Sequence, residues 1–98
     1  MKTHIYDTHV TTKDGSYYHF DVLVTDDSVD RVVEYANIYL DSIGVSQSEI
    51  NQNKCHFCHS EMANPQVIME LERDGFSIIP MQGCPLKVET KKVLSKYE

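Results

Sequence analysis

The sequence is poor in glycine, in basic residues and in long apolar runs, and each shortage argues against a class of protein. Its four glycines leave no glycine-rich loop to cradle a phosphate and no dinucleotide-binding fingerprint. Nine basic residues against fifteen acidic ones give a net charge of −6, which argues against binding the phosphates of nucleic acid. No apolar stretch approaches the roughly 20 residues that span a bilayer, and no apolar run follows Met1. We therefore expect a cytoplasmic protein that binds neither nucleic acid nor membrane.

The chain is short, and its three cysteines are too few for a disulfide framework. Its 98 residues, 41% of them hydrophobic, predict one domain over residues 1–98 with a small core. In a reducing compartment, three cysteines are expected to be free thiols or metal ligands. A bound metal or a partner subunit would stabilise so small a core. A homodimer is therefore compatible with the size, although no residue pattern indicates one.

The N-terminal third predicts an antiparallel hairpin of two strands, residues 3–10 and 17–24. A loop of three or five residues, with Gly15 in the left-handed conformation, brings the apolar faces of the two strands together. The opposite face then collects two carboxylates and two imidazoles, which are able to bind a metal or exchange protons. These four residues are Asp7, His9, His19 and Asp21. The same polarity is also typical of the solvent face of a hairpin.

The rest of the chain predicts alternating helices and strands. A helix over residues 28–43 ends at Gly44, and a second one starts at Asn64-Pro65 and ends at Gly75. Between these helices we predict a short strand at 54–57. After the second helix we predict a buried strand at 76–81 and a last helix at 87–97. The resulting order β-β-α-β-α-β-α predicts an α+β domain. A mixed sheet with helices mainly on one face covers the apolar stripes most simply.

The densest concentration of metal-ligand residue types is the string Cys55-His56-Phe57-Cys58-His59. Two thiolates spaced C-x-x-C in a tight turn can hold zinc, with Cys84 and His59 as further candidate ligands. The pair is also compatible with thiol redox chemistry, although it lies some way before the next helix. The string also matches the C-x-x-C-H motif of covalent haem attachment. Haem attachment is nevertheless disfavoured, because the sequence predicts a sheet-containing domain and no signal peptide for export. The alternative is that all three cysteines are reduced packing residues of a small core.

Four segments in this order resemble a family of small bacterial domains of unknown function. They are Tyr6-Asp7-Thr8, His19-Phe20-Asp21-Val22, Cys55-His56-Phe57-Cys58-His59-Ser60-Glu61 and Gly83-Cys84, and they cover roughly residues 2–84. By the same resemblance, residues 85–98 look like a C-terminal extension added to the shorter members of the family, and we expect this extension to be helical. The resemblance implies no activity. It implies only that certain polar and sulfur-bearing residues occupy motif positions, namely Asp7, His19, Asp21, Cys55, Cys58, His59, Glu61 and Cys84.

We therefore interpret the sequence as a non-enzymatic binding or structural module whose Cys/His cluster is able to hold zinc. An enzyme is the competing class, either a thiol oxidoreductase or a metal-dependent hydrolase that uses Cys55 and Cys58 with His19 and Asp21. If the cysteine loop folds over the polar face of the hairpin, the two form one composite site. Finding the Cys55 and His19 side chains on opposite faces of the sheet would contradict that hypothesis.

Overall fold

A computed structural model describes residues 1–85 as a four-stranded sheet with two α-helices. The elements in chain order are β1 (Lys2–Thr12), β2 (Tyr17–Val24), α1 (Val32–Ser42), β3 (Ile50–Met62), α2 (Pro65–Asp74) and β4 (Ser77–Pro80), with 3₁₀ helices at Asp26–Arg31 and Gln47–Glu49. The predicted α+β class and the order of elements through β4 are confirmed. The helix predicted over 87–97 lies outside the described residues. No helix within residues 1–85 is long and apolar enough to cross a bilayer.

The sheet is antiparallel in all its pairings, so the expected mixed sheet is corrected in this detail. Its strand order is β3-β1-β2-β4. The strand β3 follows a helix and runs in the same direction as β2, as in a parallel crossover. However, β1 lies between these two strands, so each neighbouring pair is antiparallel. A helix between two strands therefore did not indicate a parallel neighbour here.

The hairpin of β1 and β2 has the predicted register and loop. Tyr6 lies opposite Val22 and His9 opposite His19, so the apolar faces of the two strands coincide and the polar faces coincide as well. Gly15 has a φ of +89°, the left-handed conformation that this three-residue loop requires. The amide of Thr12 donates to the carbonyl of Ser16 at 2.9 Å and closes the loop. The hairpin therefore fixes which residues share a face across the centre of the sheet.

The two α-helices contact opposite faces of the sheet, in contrast to the predicted arrangement on one face. Leu40 and Ala36 of α1 are buried against Phe20 and Val22, whose side chains lie on one face. We call this the α1 face. The buried residues of α2 contact the other face, where Val67 and Leu71 join Ile5 and Leu23 in a smaller cluster. That second face carries the polar residues of the hairpin, and we call it the histidine face.

Both α-helices end where the sequence predicts. Gly44 follows α1 with a φ of +88°. The start of α1 differs from the prediction: the helix begins at Val32, because Asp26–Arg31 form a 3₁₀ helix before it. The side chain of Asn64 caps α2 by accepting a hydrogen bond from the amide of Val67 at 2.9 Å. Gly75 ends that helix in the left-handed conformation. The chain then turns directly into β4 on the outer side of β2.

Candidate functional site

The histidine face is polar across the middle of β1 and β2. His9 lies directly opposite His19, and Asp7 lies directly opposite Asp21, one row further along the hairpin. The neighbouring strand β3 contributes Lys54 beside His9 and His56 beside Asp7. The four hairpin residues named from the sequence are therefore brought together in two adjacent rows.

Three of these residues converge through their ligand atoms. Nε2 of His9 lies 2.7 Å from Oδ2 of Asp7, and Nε2 of His19 hydrogen-bonds the other carboxylate oxygen, Oδ1. The two imidazole rings stack with their centroids 4.2 Å apart and their planes inclined by 14°. One carboxylate therefore bridges two parallel imidazoles. Nδ1 of His9 in turn hydrogen-bonds the hydroxyl of Tyr17, which fixes the orientation of that ring.

The bridging carboxylate favours its ionised form. Partial burial raises the pKa of Asp7, but hydrogen bonds from His19 and His9, together with the charge of their protonated rings, lower it by more. The net pKa lies below the ordinary value of 3.8. Asp7 is therefore a carboxylate over the physiological pH range, with two nitrogen donors beside it.

Asp21 is shifted in the opposite direction. Burial raises the pKa of this carboxyl, and the negative charge of Asp7 across the hairpin raises it further. The charges of His19, His59 and His9 act against this increase without cancelling it. Asp21 lies opposite Asp7 on the same face. However, it does not belong to the group of three residues whose ligand atoms converge.

The donor set of Asp7, His9 and His19 fits a divalent transition-metal ion. One ligand atom from each residue lies within 4.8 Å of the others. Two imidazoles and a carboxylate are a ligand set that binds zinc with an open position, or non-haem iron. The side chains retain 35%, 37% and 25% exposure, respectively, so an ion can enter from solvent. If His9 binds through Nε2, its Nδ1–H can donate to the Tyr17 oxygen, as is common for metal-bound histidine.

The cysteines lie in an extended strand instead of a turn. The strand β3 runs from Ile50 to Met62, whereas the sequence predicted only a short strand at 54–57 followed by a loop. In extended backbone, Cys55 and Cys58 are about 10 Å apart, because each residue advances about 3.3 Å. That separation exceeds the roughly 7 Å limit for a disulfide, and a zinc knuckle needs a tight turn. The structure therefore supports neither an intramolecular dithiol pair nor a C-x-x-C knuckle.

A β-bulge divides the motif between the two faces of the sheet. His59 pairs with Ile5 and Phe57 with Tyr6, which leaves Cys58 without a partner in β1. Cys55 points to the α1 face, where its sulfur accepts a hydrogen bond from the Thr8 hydroxyl at 3.5 Å. Burial raises the pKa of the Cys55 thiol.

The remaining predicted ligands are dispersed. Cys58 is exposed at the bulge, and its sulfur lies 3.1 Å from Nδ1 of His59. Nε2 of His59 lies 3.5 Å from a carboxylate oxygen of Glu61. Cys84 packs against the core of the α1 face, where burial and the neighbouring Cys84 thiol both raise the pKa of Tyr39. None of the cysteines within residues 1–85 joins a convergent group of ligand atoms.

The composite site predicted from the sequence is therefore not formed. Cys55 lies on the α1 face and His19 on the histidine face, so the sheet itself separates them. Tyr17 is the site residue that the sequence reasoning missed. The same register that places His9 opposite His19 also puts Tyr17 on their face, two residues before His19, so this signal was available.

The site lies in a domain with recognisable relatives. The family profile of "Domain of unknown function (DUF2024)" matches residues 1–81. The NMR structure of protein NE1680 from Nitrosomonas europaea, a structural-genomics target, is 39% identical and superposes with a TM-score of 0.66. The match covers 87% of the present chain and 100% of that chain. A search of curated proteins finds no match. The chain therefore belongs to the DUF2024 family of domains of unknown function.

Proposed function

We propose that this domain is a binding module for a divalent transition-metal ion, with zinc as the principal candidate. The observation that carries the proposal is the convergence of Nε2 of His9 and Nε2 of His19 on the two oxygens of the Asp7 carboxylate. Polar side chains on one face of an antiparallel sheet are common simply because that face contacts solvent. The bridging of two stacked rings by one carboxylate is the more specific arrangement.

The proposed ligands also suit the chemistry of the ion. Imidazole and carboxylate donors bind zinc, and the lowered pKa of Asp7 shows that its surroundings favour the ionised form that a metal ligand needs. Three protein ligands leave at least one coordination position for water or for a donor from another molecule. The ligands come from both strands of the hairpin, so a bound ion would tie β1 to β2 and stabilise a small domain.

A binding role is favoured over an enzymatic one by the surroundings of the ligands. The three side chains lie on an open sheet surface and are a quarter to a little over a third exposed. A catalytic metal generally operates in a shaped site that excludes bulk water. An exposed ion with a free coordination position is better suited to hold a ligand or to link two molecules.

The proposal is tested by titrating chelator-treated protein with Zn²⁺ and Co²⁺, using calorimetry and visible absorption. We expect one ion per chain, with a cobalt spectrum that lacks thiolate charge-transfer bands. His19→Gln should weaken binding by about 100-fold or more, since losing even outer-sphere partners of a metal site costs 10–100-fold. Thermal unfolding of the metal-free variant establishes that its fold is intact.

His56→Gln is the matched control for this titration. His56 is an exposed imidazole of the same face, beside Asp7, but it is not one of the three converging groups. Its replacement should change the affinity by less than about threefold. A protein that binds no Zn²⁺ at micromolar concentrations would refute the proposal. So would a cobalt complex with thiolate bands, which would assign the ion to the cysteines.

A further inference from the structure

The strand β3 forms one edge of the sheet, and its outer side has no paired strand within residues 1–85. It is 13 residues long, and it carries two exposed apolar side chains, Phe57 at 57% and Met62 at 70% exposure. A long open edge is a template for pairing with another strand. We propose that β3 pairs with β3 of a second copy of this chain, in an antiparallel arrangement about a two-fold axis. The two sheets then join into one sheet of eight strands.

The bulge at Cys58 determines which self-pairing registers keep the faces matched. Lys54 lies beside His9 and Glu61 lies beside Thr3, so both side chains are on the histidine face although an odd number of positions separates them. In a regular strand such residues would point to opposite faces. Because of the bulge, placing Lys54 of one copy opposite Glu61 of the partner subunit pairs residues whose side chains lie on the same face of the joined sheet.

Charge complementarity selects this register. Lys54 is exposed, and Glu61 is 54% exposed with only the weak contact to His59. A two-fold axis makes the Lys54–Glu61 ion pair twice, once on each side of the axis. An exposed lysine and a bulge usually protect an edge from pairing. In this register Lys54 lies opposite a counter-ion, whereas every other register within β3 leaves it opposite a residue without a negative charge.

The same register covers the apolar side chains of the edge and brings Cys58 close to the axis. Phe57 lies opposite Cys58 of the partner subunit, which shields its ring from solvent. With strands about 4.8 Å apart and a rise of about 3.3 Å per residue, the two Cys58 Cα atoms would be roughly 6 Å apart, within disulfide range. The two Cys55 residues would be about 17 Å apart by the same spacing.

The first experiment measures association by sedimentation equilibrium in reducing buffer. We expect a dimer, and Lys54→Glu or Glu61→Lys should each raise its dissociation constant on the order of tenfold, because two ion pairs become two repulsive pairs. The double variant restores both pairs with reversed signs, and its dissociation constant should return to within about threefold of the wild type. Lys13→Glu, in the hairpin loop, is the control with the same change in charge.

The second experiment uses the cysteines as position markers. Diamide takes up one hydrogen from each of two thiols as they form a disulfide, and it should link two chains through Cys58. Cys58→Ser should abolish the covalent dimer, and its association in reducing buffer should stay within about threefold of the wild type. The metal proposal is independent of this one, since His19→Gln should leave the dimer unchanged.

Three results would overturn the proposal. One is a wild-type chain that remains monomeric at the highest soluble concentration. Another is a dimer whose dissociation constant does not respond to the charge exchange. The third is a rapid disulfide that persists in Cys58→Ser, which would show that a different surface forms the contact.

Discussion

Asp7 and Asp21 face one another across the hairpin, yet their carboxyl pKa values are shifted in opposite directions. Asp7 accepts hydrogen bonds from both histidines, and these outweigh the cost of its partial burial. The pKa of Asp21 is raised by burial and by a neighbouring negative charge, and the charges of His19, His59 and His9 compensate only in part. The ionised form of Asp7 is thus stabilised by folding, and the ionised form of Asp21 is destabilised by it.

Replacing Asp21 with asparagine should therefore stabilise the metal-free protein at neutral pH. A carboxyl whose pKa is raised on folding binds its proton more tightly in the native state, so its ionisation opposes folding above that raised pKa. Below the ordinary value of 3.8 both states are protonated, and the benefit should vanish. Like charges directly opposite in a sheet cost about 0.2–1 kcal/mol, which sets the expected gain. Urea unfolding at pH 7 and pH 3 measures it.

The control for this substitution is Glu72→Gln, which removes one negative charge from an exposed position of α2. It separates a local effect at Asp21 from a general reduction of the net charge of −6. If both variants gained the same stability, or if Asp21→Asn lost stability at pH 7, the described repulsion between the two carboxylates would be wrong.

At the scale of single residues, the sequence was informative where alternation is strict. The register of two amphipathic strands is enough to place Asp7, His9 and His19 on one face. The cysteine motif had no such constraint, because C-x-x-C occurs in turns, helix starts and strands alike. Its backbone conformation is set by pairing with β1, which cannot be deduced from the spacing of the cysteines.

At the scale of secondary-structure elements, β3 is the element that the sequence most underestimates. Its 13 residues include many polar side chains, and most of them are exposed. An edge strand with little buried surface has no apolar alternation, and the bulge would interrupt any that existed. Backbone hydrogen bonds to the long strand β1 hold it, and these depend on the partner strand more than on its own sequence. The helices α1 and α2, which have apolar stripes and glycine stops, were predicted much more accurately than β3.

Two glycines with similar backbone angles should respond differently to alanine. Gly15 has a φ of +89° and open space around it, whereas a Cβ on Gly83, at a φ of +80°, would lie 2.1 Å from the Tyr17 carbonyl oxygen. Gly15→Ala should cost about 1–2 kcal/mol for the left-handed conformation alone. Gly83→Ala carries the same cost and also forces the segment after β4 away from β2.

Amide hydrogen exchange distinguishes the two glycine variants. The amide of His19 donates to the carbonyl of Gln82 at 2.8 Å, so it reports on the contact between β2 and the segment after β4. Its exchange should accelerate strongly in Gly83→Ala and only in proportion to global stability in Gly15→Ala. Equal protection of this amide in both variants would contradict the described close approach.

At the scale of the whole molecule, the two sides of the sheet are unequally covered. The molecule measures 39 × 35 × 18 Å, so it is thin in one direction. Within residues 1–85, the α1 face holds the larger core, a cluster of ten buried apolar residues. In the same part of the chain, the buried apolar cluster of the histidine face has four residues, all at the end covered by α2. The open remainder of that face exposes the candidate metal ligands to solvent.

This asymmetry predicts unequal costs for the same substitution. Leu40→Ala, in the larger core, should destabilise the protein by about 4 kcal/mol, since no solvent or mobile surface can fill the space. Leu71→Ala, in the smaller cluster, should cost about 2 kcal/mol, because α2 can shift at the edge of the molecule. Urea unfolding of both variants measures the difference. A larger cost at Leu71 would mean that the smaller cluster is the main core.

The topology was only partly predictable from the order of elements. Composition and periodicity predict strands and helices one by one, and the hairpin register follows from them. Neither states which face of the sheet a connecting helix crosses, nor on which side of the hairpin β3 is added. The mixed sheet and the single helical layer were the simplest arrangements to predict. The antiparallel pairing of all four strands corrects the first, and the packing of α2 on Ile5 and Leu23 corrects the second.

The bulge at Cys58 also makes the length of the motif as important as its composition. The unpaired residue shifts the alternation of β3 by one position. Each later residue therefore lies on the face opposite to the one that strict alternation from Phe57 would give it. If this string paired with β1 without a bulge, His59 would lie opposite His4 on the α1 face and Ser60 opposite Thr3 on the histidine face, with every later residue of β3 reversed as well. Deleting Cys58 itself should therefore leave every later residue of β3 on its present face, whereas inserting a further residue into this string should be far more disruptive than a substitution, since it exchanges side chains between the two sides of the protein.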